Sequence, residues 1–296
     1  MLREKTDDHN PIVIHSYLST LKTIPKSPGF ADFLRGSITL YQYSKKYDYI
    51  LYFDKDIHPI FKYLKPKPYF ITDDSNMEVQ EILPPNSYQN IDKMICDQFE
   101  SGKSFSLITN AFYSKDSDGN VFNFGPIYYE TKTFFKNLLQ PNFLLENKLF
   151  IVFDRYYNIN PNTDYKVIHL RLGDHYIYSQ NNFDNSELLL LLKNKIYNLL
   201  YLEKNLDSKF ILITDCDQIG NALKNIYPTL EYWSNSKTHL GDFKKINCDI
   251  SDTLIDFFIL SRAKEIVIFS IYEVASGFST LTSLIFDIKK SNLMDY

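Results

Sequence analysis

Cysteine and glycine are scarce in this 296-residue chain, and long runs of a single character are missing. The three cysteines, Cys96, Cys216 and Cys248, are an odd and widely spaced set. They make neither a disulfide framework nor a zinc cluster, and fit a reducing compartment. No basic run exists: 32 Lys and Arg stand against 36 Asp and Glu, for a net charge of −4. Non-specific nucleic-acid binding needs a basic face to displace counterions from phosphates, so no nucleic-acid partner is expected. No uncharged apolar stretch nears the roughly 18 residues of a membrane span. The opening Met1 to Asp8 is polar and lacks a signal-peptide core. A cytoplasmic protein with no membrane span is therefore the expectation. Ordered metal-ligand spacings such as Glu-x-x-His are also missing, and Asp73-Asp74 lacks the intervening residue of an Asp-x-Asp pair. No metal site is expected. Because there are only 9 glycines, each one in a loop is more informative. Gly102-Lys103-Ser104 imitates the end of a phosphate-binding loop, but that loop needs a glycine where Asp97 stands.

What the chain does have is apolar mass: 44% hydrophobic residues, with 23 Tyr and 23 Phe, enough for one large core or two ordinary ones. Residues 11–15 read as a first strand. Gly29 opens a helix to about Lys46, with Phe33, Ile38, Leu40 and Tyr41 in its core, and 49–53 form the next strand, closed by Asp54. Strand, glycine turn, helix, strand is the start of a doubly wound sheet. Residues 55–103 are less orderly, with Pro-punctuated loops and a short strand at 69–72. A strand over 104–109 follows, then helices from about Pro126 to Leu139 and from Pro141 to about Tyr157. Asn158 to Asp164 has a linker's composition. The expected division is an N-terminal domain, 1–157, and a C-terminal domain, 158–296. The latter reads as strands at 165–171, 209–214 and 265–269, and helices at about 186–205, 217–226, 250–263 and 279–289. A weaker stretch, Leu230 to Trp233, lies between. This alternation predicts a second parallel sheet.

Tyr165 to Asp174 reads Tyr-Lys-Val-Ile-His-Leu-Arg-Leu-Gly-Asp. Val167, His169 and Arg171 alternate with Ile168, Leu170 and Leu172, the period of a strand. An imidazole, a guanidinium and a carboxylate thus arrive together at a strand's carboxyl end, where open α/β sheets bind ligands. Arginine keeps its charge, and its fork suits a phosphate. The structural alternative is that Arg171 pairs with Asp174 to hold a corner. His-x-Arg-x-Gly-Asp after an apolar strand, preceded by Phe135 to Pro141 and the Leu/Glu-rich run to Leu149, resembles the α-1,2/α-1,6/protein-O fucosyltransferase superfamily of two-domain (GT-B) enzymes. The Gly29 turn, with its helix ending Lys45-Lys46-Tyr47, is similar to that superfamily's N-terminal signature. It lacks the Gly-x-Gly-Asn turn of the α-1,2 members.

A second constellation is Ser276 to Thr280, between a strand and an apolar helix. A helix N-terminus with its dipole is an anion site, to which Ser279 and Thr280 add hydroxyls. An ordinary N-cap would read the same way. By resemblance this turn contacts the donor's diphosphate, opposite Arg171. Asp252 to Ser261 looks like the superfamily's Asp-Leu-x-x-Met-Ser helix, which would make Asp256 the acceptor for a guanine base. Without that resemblance Asp256 reads equally as a solvated helix residue. Asp215, at another strand end, is either a helix cap or a ribose contact. The resemblance implies an α/β, GT-B-like fold of two Rossmann-like domains facing a cleft. It implies an inverting transfer of fucose from GDP-fucose to a glycan hydroxyl, with no cofactor besides the nucleotide-sugar donor. Arg171 would stabilise the leaving diphosphate, and Asp174, Asp32 or His15 would serve as general base. Donor-binding residues would be Gly29, His169, Arg171, Asp215, Asp256, Ser279 and Thr280. A same-fold binding protein without catalysis, or a transferase using another nucleotide sugar, fits the same residues.

Overall fold

The computed structural model describes residues 10–16, 29–55, 59–72, 79–82, 88–112, 114–115, 121–122, 127–157, 159, 163–173, 186–203, 208–234, 249–272 and 276–296. Asp174, residues 239–242 and Cys248 lie outside them. The described residues fall into two compact units that divide between Gln140 and Pro141.

In the N-terminal unit, β1 (Ile12–His15), β2 (Ile50–Asp54), β3 (Phe70–Ile71), β4 (Val79–Ile82) and β5 (Phe105–Thr109) form an all-parallel sheet of order β3-β2-β1-β5-β4. A small antiparallel pair, β6 (Ser114–Lys115) and β7 (Val121–Phe122), stands apart. The helices are α1 (Phe30–Tyr47), α2 (Tyr88–Glu100) and α3 (Tyr129–Leu138). Helix α1 forms where its apolar positions predict, with Phe33, Leu34, Ile38 and Leu40 buried. It ends at Asp48 in the left-handed region, whose N–H donates to the Ser44 carbonyl. It lies so close to the sheet that a Cβ on Gly36 would stand 1.8 Å from the Thr109 carbonyl oxygen.

The C-terminal unit begins with α4 (Phe143–Val152) and a π-helical turn, Phe153–Tyr157. Sequence reading assigns this stretch to the N-terminal domain. The structure gives it to the second unit, because Leu145, Leu149 and Val152 are buried and ion pairs tie the helix to the region around α7 (Ser251–Ser261). Lys148 Nζ lies 2.7 Å from Asp252 Oδ1, and Arg262 donates to both Glu146 oxygens at 2.9 Å. The strands are β8 (Tyr165–Arg171), β9 (Lys209–Thr214), β10 (Leu230–Tyr232), β11 (Glu265–Ser270) and β12 (Lys289–Asn292), all parallel in the order β10-β9-β8-β11-β12. Helices α5 (Ser186–Glu203), α6 (Asp217–Ile226) and α8 (Gly277–Phe286) complete the unit with α7.

Strand β8 is central and buried in all but its last residue. Ile168, Leu170 and Leu172 share a core with Leu192, Ile196 and Leu199 of α5. The alternate face carries Val167, His169 and Arg171. At the amino end of β8, buried Lys166 meets Glu203 Oε2 at 2.7 Å and Glu265 Oε2 at 3.1 Å. Burial alone would lower the lysine's pKa, but hydrogen bonds to these two carboxylates outweigh it and leave the ammonium stabilised.

His15 closes β1 inside an aromatic cage. Its ring stacks on Phe33 at 5.3 Å and 9°, and tilts against Phe53. Its Nδ1 lies 3.1 Å from Ser37 Oγ, whose hydroxyl donates to the Phe33 carbonyl. Desolvation drives the imidazole pKa from 6.5 down to about 3, and a backbone hydrogen bond at Thr109 offsets this only in part. The unfolded chain therefore takes up a proton below about pH 6.5 that the folded chain refuses. Stability should fall as pH is lowered from 6.5 towards 3, with a slope from this residue of up to about 1.4 kcal/mol per pH unit. Urea unfolding across that window should show the loss, and His15→Phe should flatten it. An unchanged slope in that variant would remove His15 as the cause.

Candidate active site

Chain direction fixes where a ligand can sit. In the C-terminal sheet the strand order reverses between β8 and β11, and binding crevices open outside the carboxyl ends at such a switch point. There β8 ends in Arg171, paired in register with Ser270 of β11. The adjoining β9 ends at Thr214, followed by Asp215.

Asp215 organises this corner. Its carboxylate forms an ion pair with Arg171 Nη1. It also accepts from the Leu172 N–H at 2.8 Å (Oδ1) and the Gly173 N–H at 3.0 Å (Oδ2). Both oxygens are therefore engaged within the protein. The helix-cap reading of Asp215 does not hold, since the N-cap of α6 is Cys216. Arg171 is thus held from a neighbouring strand, while Asp174, the partner anticipated from sequence, lies outside the described residues. Gly173 has φ +92, a conformation that L side chains rarely adopt.

The opposite wall is the first turn of α8. His169, on the same strand face as Arg171, places its ring 6.1 Å from that of Phe278. Thr280 N–H donates to the Ser276 carbonyl at 3.0 Å, closing the first turn. Ser276 is the N-cap but makes no side-chain cap. Ser279 is fully buried, and its hydroxyl donates back to the Ser276 carbonyl at 3.3 Å. It does not project as the outward donor that the sequence suggests. Thr280 is 5% exposed, and among the described residues its Oγ1 has no hydrogen-bond partner. A buried hydroxyl without a partner costs stability unless something completes it.

Asp256 is buried on α7 at 5% exposure, which excludes the solvated reading. Its surroundings register in the neighbouring phenols. Burial first, then the negative charge of Asp256, pushes Tyr157 well above its ordinary range. Tyr232, at the carboxyl end of β10, is raised by burial, by its hydrogen bond to Asp217 at 2.5 Å and by the charges of Asp217 and Asp256. Arg171, Asp215, the α8 turn and the Asp256 neighbourhood thus belong to one unit.

Gly29 and Asp32 belong to the other. Gly29 is the N-cap of α1 at φ −70, and among the described residues nothing lies within 4 Å of where a Cβ would stand. Asp32 accepts from the Gly29 N–H at 3.1 Å and pairs with Arg35 at 3.4 Å. His15 is caged and neutral. Among the described residues, no group of three or more His, Cys, Asp or Glu could hold a metal, and no helix is long and apolar enough to cross a membrane.

Two parallel, Rossmann-like α/β units with a charged corner at a strand switch point define a GT-B type of fold. The chain is similar in structure to Bradyrhizobium NodZ α-1,6-fucosyltransferase soaked with GDP-fucose, at 15% identity and a TM-score of 0.57, over 94% of this chain and 93% of that one. POFUT1 in its apo form matches over 98% of this chain and 99% of its own, at 11% identity and a TM-score of 0.54. A variant of Arabidopsis thaliana FUT1 in complex with GDP matches over 98% and 71%, at 12% identity and a TM-score of 0.57. No family model and no curated protein sequence matches the chain.

Removing the Asp215 carboxylate strands two buried N–H groups. Asp215→Ala should cost about 1–3 kcal/mol, and Asp215→Asn, which keeps one acceptor oxygen, distinctly less. Urea unfolding at neutral pH measures both. Equal midpoints for Asp215→Ala and the parent would refute the clamp.

Proposed function

We propose that the protein is a glycosyltransferase that moves fucose from GDP-fucose to a glycan hydroxyl with inversion at the anomeric carbon. The observation carrying this reading is the corner at the end of β8. An arginine is preset by Asp215, and the same strand face meets a helix N-terminus beside the partnerless Thr280 hydroxyl. That pairing of a fixed cation with a helix dipole suits a diphosphate. Its support from comparison is a fold shared with fucosyltransferases that have been crystallised with GDP or GDP-fucose.

In the reaction, the bond from the anomeric carbon to the diphosphate breaks as the acceptor oxygen attacks from the opposite face. Negative charge grows on the departing diphosphate. Arg171, the first turn of α8 and Thr280 would meet it already oriented, so little reorganisation is needed as it forms. Asp256, buried near the end of β10, would accept hydrogen bonds from the guanine, and His169 would support the donor side. The acceptor's proton goes to a base. Asp174 and Asp32 remain the proposed carboxylates, whereas caged His15, with its pKa of about 3, is too weak a base near neutrality. We place the activity in the cytoplasm, with no metal or cofactor beyond the donor.

A second reading is favoured by one observation: Asp32 already serves its own helix end and Arg35. A chain that binds the nucleotide sugar without turnover would look the same. Another donor sugar would also use the same diphosphate corner.

Thermal melts with GDP-fucose, other nucleotide sugars, GDP and UDP test the donor first. Saturation at 100 times the dissociation constant adds about 2.7 kcal/mol, a visible rise in melting temperature. A rise confined to guanine nucleotides, then GDP release with an acceptor panel, is the expected outcome. Arg171→Ala should abolish release while remaining folded at lower stability, since Asp215 loses its ion pair but keeps its two backbone donors. No rise with any nucleotide would overturn the assignment. Binding without release across the panel would favour the non-catalytic reading.

A further inference from the structure

We infer that Tyr272 is a positioning residue for Arg171, forming with Asp215 a two-sided clamp on the guanidinium. This rests on the donor-site reading above and adds a residue to it. The Arg171 guanidinium carbon lies 6.0 Å from the centre of the Tyr272 ring, at the outer edge of the range in which a cation is drawn to an aromatic face. The ring is placed there by backbone, not by chance packing. Ser270 pairs in register with Arg171, and Ile271 N–H donates to the Arg171 carbonyl at 3.2 Å. Tyr272 N–H is held in turn by Ser270 Oγ at 3.2 Å.

Gly173 makes room for the ring. A Cβ at that position would lie 2.1 Å from the Tyr272 hydroxyl and 2.8 Å from Cζ. The glycine therefore answers two demands, a left-handed backbone and an aromatic ring resting on it. Tyr272 as a whole is still 47% exposed, so it is not part of the core. Asp215 fixes the guanidinium by an ion pair through Nη1. A ring alongside restricts the swing of the fork about that point, and a preset fork binds a diphosphate with less ordering cost.

Calorimetric titration of the full chain with GDP, on the parent and on Tyr272→Phe, Tyr272→Leu and Tyr272→Ala, tests the clamp. Tyr272→Phe keeps the ring and should hold GDP within about two-fold of the parent, whereas Leu and Ala should weaken it roughly three- to thirty-fold. Melting temperatures without ligand should match, because the ring is half exposed. The decisive readout is the cycle with Arg171→Lys. In that background Tyr272→Ala should cost markedly less, since the planar fork it steadies is gone. Equal GDP affinity in Tyr272→Ala and the parent, or an undiminished effect beside Lys, would overturn the inference while leaving the donor site standing. A parent that binds no guanine nucleotide would remove both.

Discussion

A single carboxylate holds the corner at the end of β8 together. Asp215 stands one residue beyond β9, yet its partners all lie at the end of β8. A lone charge at that depth would be costly, and so would two unpaired N–H groups on a turn where Leu172 is wholly buried. Bringing them together cancels each cost against the other. The ion pair and the turn are thus one structure. Arginine orientation, the left-handed glycine and the packing of Tyr272 all depend on where that carboxylate is.

The two units solve the same problem with different chemistry. In both, a parallel sheet reverses its strand order beside its first strand, β1 in one and β8 in the other. The carboxyl end of β1 is dry and aromatic, with a neutral imidazole packed among Phe33, Phe53 and the α1 backbone. The carboxyl end of β8 is charged, and the helix facing it opens on small residues. The corner with the arginine and its carboxylate partner therefore belongs to the second unit.

Legibility in the sequence followed how much of the signal was local. Strands β9 and β11 were readable because their centres are nearly continuous in apolar residues, and β8 because its residues alternate with a strand's period. Helix α6 was legible to its ends, Asp217–Ile226. Helix α2 carries Ile91, Ile95 and Phe99 at helical spacing, a pattern obscured by the prolines before it. Strand β12 has no such signal: Lys-Lys-Ser-Asn becomes a strand because β11 offers an edge and Glu265 receives Lys289 at 3.0 Å and Ser291 at 2.9 Å. The affiliation of α4 depends on partners about a hundred residues away in α7 and beside it, which composition near a linker cannot reveal. At the site, Arg171, Asp256 and Thr280 were named from local motifs. The clamp by Asp215 and the ring of Tyr272 come from residues adjacent only across the sheet, and nothing in the linear order announces them.

The central place of β8 has a consequence for how this unit comes into being. Its first sheet neighbour, β9, follows within the same βαβ passage, but its other neighbour, β11, is not synthesised until two more helices and β10 have been made. Until then one edge of an almost wholly buried strand has no partner. Parallel pairings across such separations close slowly, because loop entropy must be overcome before contacts reward it. Arg171 can reach Asp215 early, whereas Tyr272 arrives only with β11. A nascent chain would therefore possess its charged corner well before the corner has its aromatic wall, and the exposed edge of β8 is where a helper protein or a misfolding partner would first take hold.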